Sequence, residues 1–219
     1  MTEIILLSDR RVAATPVAEN GDPLVDAREV HALRVDPRQA DGDGSYAHLR
    51  ADALRRLRLA QGTLPDGVRL LMVEGFRPPE LQSRYFDSYA DTMRRTHADA
   101  SADRIRELTS AYISPPEVAP HVSGGAVDLT LCTEEGVELP LGTEVNATPE
   151  ESDGGCRTAA VNISAESRAN RRLLCRAMTA AGFVNYPTEW WHWSYGDRYW
   201  ALLSRAPAAE YGPVTRNSA

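Results

Sequence analysis

Two short stretches of the chain hold the side chains that could do chemistry. Near the C-terminus the sequence reads Glu189-Trp190-Trp191-His192-Trp193, a carboxylate and an imidazole set among three indoles. Upstream, His121-Val122-Ser123-Gly124-Gly125-Ala126-Val127-Asp128 offers a second imidazole and a second carboxylate. His121, Asp128 and His192 are therefore candidate ligands of a metal ion, with Glu189 left over as a candidate base. That is the inventory of a catalytic zinc site with one open position.

Spacing alone leaves duller readings open. A single His beside tryptophans, or beside a glycine turn, is most often a packed or hydrogen-bonded side chain. Asp128 is harder to dismiss, because a carboxylate in an apolar strand is costly unless paired or metal-bound. Glu189 and His192 would face opposite ways in an ideal strand, so the segment needs a turn or bulge to bring them together. Two His and a carboxylate also make the facial triad of a non-haem iron oxygenase. The other histidines, His31, His48 and His97, sit in surface-like contexts with no acidic partner at a suggestive spacing.

The elements that must position these groups follow from periodicity and breakers. Val68–Val73 is a short apolar run between turn residues, which suits a buried strand, and Ala126–Leu131 alternates as a second. In that second strand Val127, Leu129 and Leu131 line the core side, with Ala126, Asp128 and Thr130 on the other face. Helices are predicted over 47–61, 80–94, 102–112, 165–181 (capped by Ser164, with Gly182 past its end) and 198–204. Residues 183–195 read as two short strands around Pro187, and 3–7 as another. Residues 15–46 read as an irregular wrap and 142–160 as a long loop of the kind that often carries function. Ser114–Pro120 cannot be helical, because its prolines lack donors and restrict the residues before them.

At 219 residues and 42% apolar, the chain can bury a substantial core. A single domain over 1–211 is expected, with a disordered tail from Gly212 to 219. A net charge of -7 argues against a nucleic-acid backbone or an anionic membrane as partner. Ile4–Leu7 is too short an apolar core for a signal peptide, and no stretch approaches a membrane span. Cys132, Cys156 and Cys175, an odd number at no metal-like spacing, read as reduced thiols in a cytoplasmic protein.

His121-x-x-Gly124-x-Ala126-x-Asp128, followed by Leu129-Thr130-Leu131, resembles the zinc motif of the D-alanyl-D-alanine dipeptidases, the VanX-like M15 metallopeptidases. Glu189-Trp190-Trp191-His192 resembles that family's second motif, and Gly75-Phe76-Arg77-Pro78 its arginine turn. All three stand in the family's order, over roughly residues 68–195. The resemblance implies an α+β fold, a mainly antiparallel sheet flanked by helices, of the hedgehog-like kind. It implies one Zn²⁺ per chain on His121, Asp128 and His192, with water completing the tetrahedron. Glu189 would be the general base, Arg77 the oxyanion donor and a small D-amino-acid dipeptide the substrate.

Two positions depart from the family's pattern. Ala119 stands where a Ser usually precedes the first zinc His. Asn146 aligns with an Asp that holds the dipeptide's ammonium, so this substrate-binding position has lost its charge; Glu144 or Glu150 could stand in. Three alternatives remain: a carboxypeptidase or endopeptidase of peptidoglycan stems, a non-catalytic zinc module, and a non-haem iron enzyme. For Arg77 the plain reading is a salt bridge that closes its turn.

Overall fold

The computed structural model describes residues 4–110 and 112–214. The chain runs α1 (Arg10–Ala14), β1 (Leu24–Asp26), β2 (Arg34–Val35), β3 (His48–Arg50), α2 (Ala51–Gln61), β4 (Val68–Glu74), α3 (Pro79–Thr96), α4 (Ala102–Ser110), β5 (Ala126–Thr133), α5 (Ala165–Ala180), β6 (Val184–Asn185), β7 (His192–Ser194) and α6 (Arg198–Ser204). A five-stranded sheet has the order β2-β4-β5-β7-β6, parallel at β2–β4 and antiparallel elsewhere. This is the α+β arrangement with a mainly antiparallel sheet that the sequence predicts. No helix among the described residues is long and apolar enough to cross a membrane.

Alternation along β5 divides its side chains as expected. Val127, Leu129 and Leu131 join a buried core with Ala53, Leu54 and Leu57 of α2 and Leu174, Ala177 and Met178 of α5. Each large apolar side chain so buried contributes about 1.5–3 kcal/mol. Ser164 accepts the Ser167 N–H at 2.9 Å and so starts α5 where its capping residue predicts.

One irregularity in the sheet matters for the site. β4 and β5 pair in regular register from Val68↔Thr133 to Met72↔Leu129, then shift so that Glu74 stands opposite Asp128. Without that bulge Val73 would oppose Asp128. The extra residue turns the Glu74 carboxylate onto Asp128's face, the usual way a bulge re-aims a side chain.

Several boundaries differ from expectation. Residues 4–7 form no strand (Glu3 lies outside the described residues); Leu7 instead packs with Val12, Tyr186 and Tyr199, and Asp9 caps α1. The helix expected from Ala47 begins at Ala51, because Ser45–Ala47 is a 3₁₀ turn and His48–Arg50 pairs with β1. The helix expected to reach Tyr112 ends at Ser110, with Tyr112 in a turn and Ala111 outside the described residues. Of the tail expected over 212–219, the part up to Val214 is described. Gly212 N–H donates to Glu19 at 2.6 Å and Val214 N–H to the Val122 carbonyl at 2.8 Å, while 215–219 lie outside the described residues.

Candidate active site

The first imidazole is set by a turn. Pro120–Ser123 forms a 3₁₀ helix closed by Gly124 at φ 74°, a left-handed conformation that favours glycine. This turn leaves His121 buried, with Nδ1 2.7 Å from the Gly75 carbonyl. Gly75 reaches that place because it has no side chain; a Cβ there would stand 2.3 Å from the His48 carbonyl oxygen.

Asp128 and His192 arrive by strand pairing, as register partners across β5 and β7. The turn that the Glu189–His192 spacing requires is present. Glu189 N–H donates to the Tyr186 carbonyl at 2.9 Å, and β7 starts only at His192. Glu189 and His192 consequently line one cleft.

His121 Nε2, Asp128 Oδ1 and His192 Nδ1 converge. The separations are 3.2 Å between the imidazole nitrogens, 2.9 Å from His192 to Asp128 and 3.3 Å from His121 to Asp128. A tetrahedral ion held at about 2.0–2.1 Å spaces its ligand atoms about 3.3–3.4 Å apart, so the donor set fits such an ion after small outward shifts. All three side chains are buried. Burial alone would raise the Asp128 carboxyl, but His121 and His192 outweigh it and hold the group well below the carboxylate range. For His121 burial favours the neutral ring, yet Asp128 raises its pKa above the ordinary value.

Glu189 lies beside this cluster without belonging to it. Burial pushes its carboxyl up to about 7, Asp128 adds to the rise, and His192 and Arg77 oppose it. A carboxyl so placed can exchange a proton near neutrality.

Arg77 forms the salt bridge of the plain reading and lines the cleft as well. Its Nε and Nη2 donate to the two Glu74 oxygens, and Nη1 donates to Gln82 Oε1 at 2.7 Å. Gln82 in turn donates to the Ser114 carbonyl at 2.8 Å. A guanidinium has five N–H groups, so one on each terminal nitrogen is left over. Burial opposes its charge, but Glu74 raises its pKa above the ordinary value. Glu74 and Gln82 are not singled out by the sequence; the one signal is a carboxylate that directly follows the apolar run Leu70–Val73.

The cleft, about 620 Å³, is also lined by Leu7, Tyr85, Ala119, Asn146, Glu150 and Trp191. Asn146 is exposed at its edge with φ 67°, and Glu150 accepts the Tyr112 hydroxyl at 2.5 Å. Glu144, the other proposed stand-in, is not among the lining residues. Trp191 forms wall, whereas the Trp190 indole donates to Thr143 at 2.8 Å and the Trp193 indole to the Trp190 carbonyl at 3.3 Å. Loop 142–160 is held from behind by Arg171, which donates to the carbonyls of Leu141, Gly155 and Arg157 at 2.6–2.7 Å.

The peptidase M15 family, described as D-ala-D-ala dipeptidase, matches residues 44–207. A D-alanyl-D-alanine dipeptidase of Synechocystis is 27% identical, covering 86% of this chain and 87% of its own. The Enterococcus faecium protein of that name is 30% identical over 60% of this chain and 64% of its own, and that of Enterococcus faecalis 28% over 66% and 70%. Among solved structures, the LdcB LD-carboxypeptidase superposes with a TM-score of 0.45 at 16% identity, covering 88% of this chain and 77% of that one. The chain belongs to the M15 peptidases of the D-alanyl-D-alanine dipeptidase family and is a peptidase.

Proposed function

We propose that the chain hydrolyses D-alanyl-D-alanine or a related small D-amino-acid dipeptide at one Zn²⁺ ion on His121, Asp128 and His192. The observation that carries this reading is the convergence of those three ligand atoms in a cleft that Glu189 and Arg77 also line. When bound, the metal polarises the scissile carbonyl and acidifies a water. Glu189 takes the attacking water's proton and delivers it to the leaving amine nitrogen. Arg77, braced by Glu74 and Gln82, offers its two remaining N–H groups to the oxygen on which negative charge develops. Trp191 and Leu7 keep bulk water from the reacting atoms. The partner is a small peptide, and the proposed compartment is the cytoplasm.

A second reading takes a longer, N-acylated peptide. One observation favours it: a further depression shares Gln39 and Tyr85 with the cleft, so the groove continues past its edge. Hydrolysis of free D-Ala-D-Ala beside its N-acetylated form, with metal quantified on the same sample, separates the two. Cleavage of the free dipeptide with about one zinc per chain supports the dipeptidase. Cleavage of the blocked form alone moves the substrate to acylated peptides. Zinc without cleavage of either leaves a binding module.

A further inference from the structure

If the triad holds a metal, each ligating imidazole uses one nitrogen for the ion and leaves the other carrying a hydrogen. His121 gives that hydrogen to the Gly75 carbonyl at 2.7 Å. On His192 the second nitrogen is Nε2, and it faces the Ser194 hydroxyl oxygen at 3.5 Å. His192 and Ser194 are two apart in β7 and so share one face of the strand. Ser194 is fully buried, and the Asp197 carboxyl lies near enough to act on its hydroxyl.

Asp197 is only 2% exposed. One of its oxygens accepts the Trp200 N–H at 2.8 Å and caps α6, while the other has no hydrogen-bond partner among the described residues. Capping requires one acceptor, which Ser, Thr or Asn supplies without burying a carboxylate. The groups facing Asp197 are the Ser194 hydroxyl, the backbone N–H groups of Tyr199 and Trp200, the Tyr199 side chain and the His192 ring. Neither lysine nor arginine is among them. A buried carboxylate with one oxygen unmet calls for an explanation.

We propose that Asp197, acting through Ser194, is a positioning residue for the metal. The carboxylate orients the Ser194 hydroxyl, whose oxygen accepts the Nε2 hydrogen of His192. Nδ1 is thereby kept free of hydrogen, aimed at Asp128 and His121, and made a stronger donor to the ion. The ion in turn supplies the positive charge that Asp197 otherwise lacks. This rests on the metal reading of the triad.

The test is a chelator-competition titration with Zn²⁺ on the full chain, together with thermal unfolding of the metal-free proteins. Ser194→Ala and Asp197→Asn should each weaken zinc binding about 10–100-fold, the usual effect of losing an outer partner of a metal-ligating His. Asp197→Asn retains an acceptor for the cap, so its metal-free unfolding temperature should match the wild type. Because the two act in series, the double variant should bind zinc about as weakly as the worse single one. Wild-type affinity in both single variants, or losses that add in the double, would overturn the relay while leaving the metal site intact. Failure of the wild-type chain to bind zinc would overturn the metal reading and the relay with it.

Discussion

Asp128 and His192 are register partners across β5 and β7, and that pairing sets Asp128 Oδ1 2.9 Å from His192 Nδ1. The backbone ladder thus fixes two of the three candidate ligands before any ion arrives. Asp128 supplies the only negative charge among the three. Asp128→Asn keeps the shape and removes that charge, so metal content after dialysis should fall from about one per chain to near none. Metal analysis of the purified variant, with circular dichroism as a fold control, checks this.

Glu189 should separate binding from turnover. Glu189→Ala should retain the metal and lose about 10²–10⁴ in kcat, whereas His192→Ala should lose metal and activity together. As a base, Glu189 must be ionised, and its carboxyl is pushed up to about 7. The rate kcat/KM should therefore rise with pH as that group deprotonates. A cation on the triad pulls the group downward, so the acid limb should fall at or below 7. A flat profile across the acid range, or wild-type rates in Glu189→Ala, would remove Glu189 from the role of base.

The role proposed for Arg77 as oxyanion donor and its salt bridge to Glu74 can be read apart. Removing an oxyanion donor costs about 10²–10³ in kcat. Removing one partner of a buried pair also costs about 3–5 kcal/mol of stability, because Glu74 would be left charged and alone. Arg77→Met should show both losses. Arg77→Met with Glu74→Gln should recover much of the stability and none of the rate, as measured by denaturant unfolding and steady-state kinetics.

Arg171 tests how the cleft's outer wall is held. Its guanidinium is buried and donates to three backbone carbonyls, with no carboxylate partner among the described residues, and burial lowers its pKa to about 10. Arg171→Leu strips those carbonyls of donors at about 1–3 kcal/mol for each left unmet. The loop bearing Asn146 and Glu150 should loosen, so KM should rise more than kcat falls. Faster proteolysis within 142–160 would accompany it.

The candidate ligands and base are easier to read from sequence than the groups that hold them. His121, Asp128 and His192 belong to motifs with fixed internal spacing, and the apolar alternation of β5 already assigned Asp128 to the face away from the core. Arg77 was legible from its turn. Glu74 was not, because a regular strand would point it the other way and only the bulge against β5 brings it to Asp128's side. Gln82 looked like one more polar residue on a helix, since its partners, Arg77 and the Ser114 carbonyl, lie elsewhere in the chain. Ile4–Leu7 misled for a different reason. Four apolar residues are too few for periodicity to tell a strand from a strap, and Leu7 packs on Tyr186 and Tyr199 instead.

Gly75 has no side chain to contribute, yet the orientation of His121 hangs on its carbonyl. Any larger residue collides with the His48 carbonyl oxygen and the Met72 side chain and must displace that acceptor. In a comprehensive substitution scan this inert position should therefore tolerate as little change as the histidine it aims. Sensitivity to mutation here follows the path of the backbone, and a map drawn from reactive groups alone would miss it.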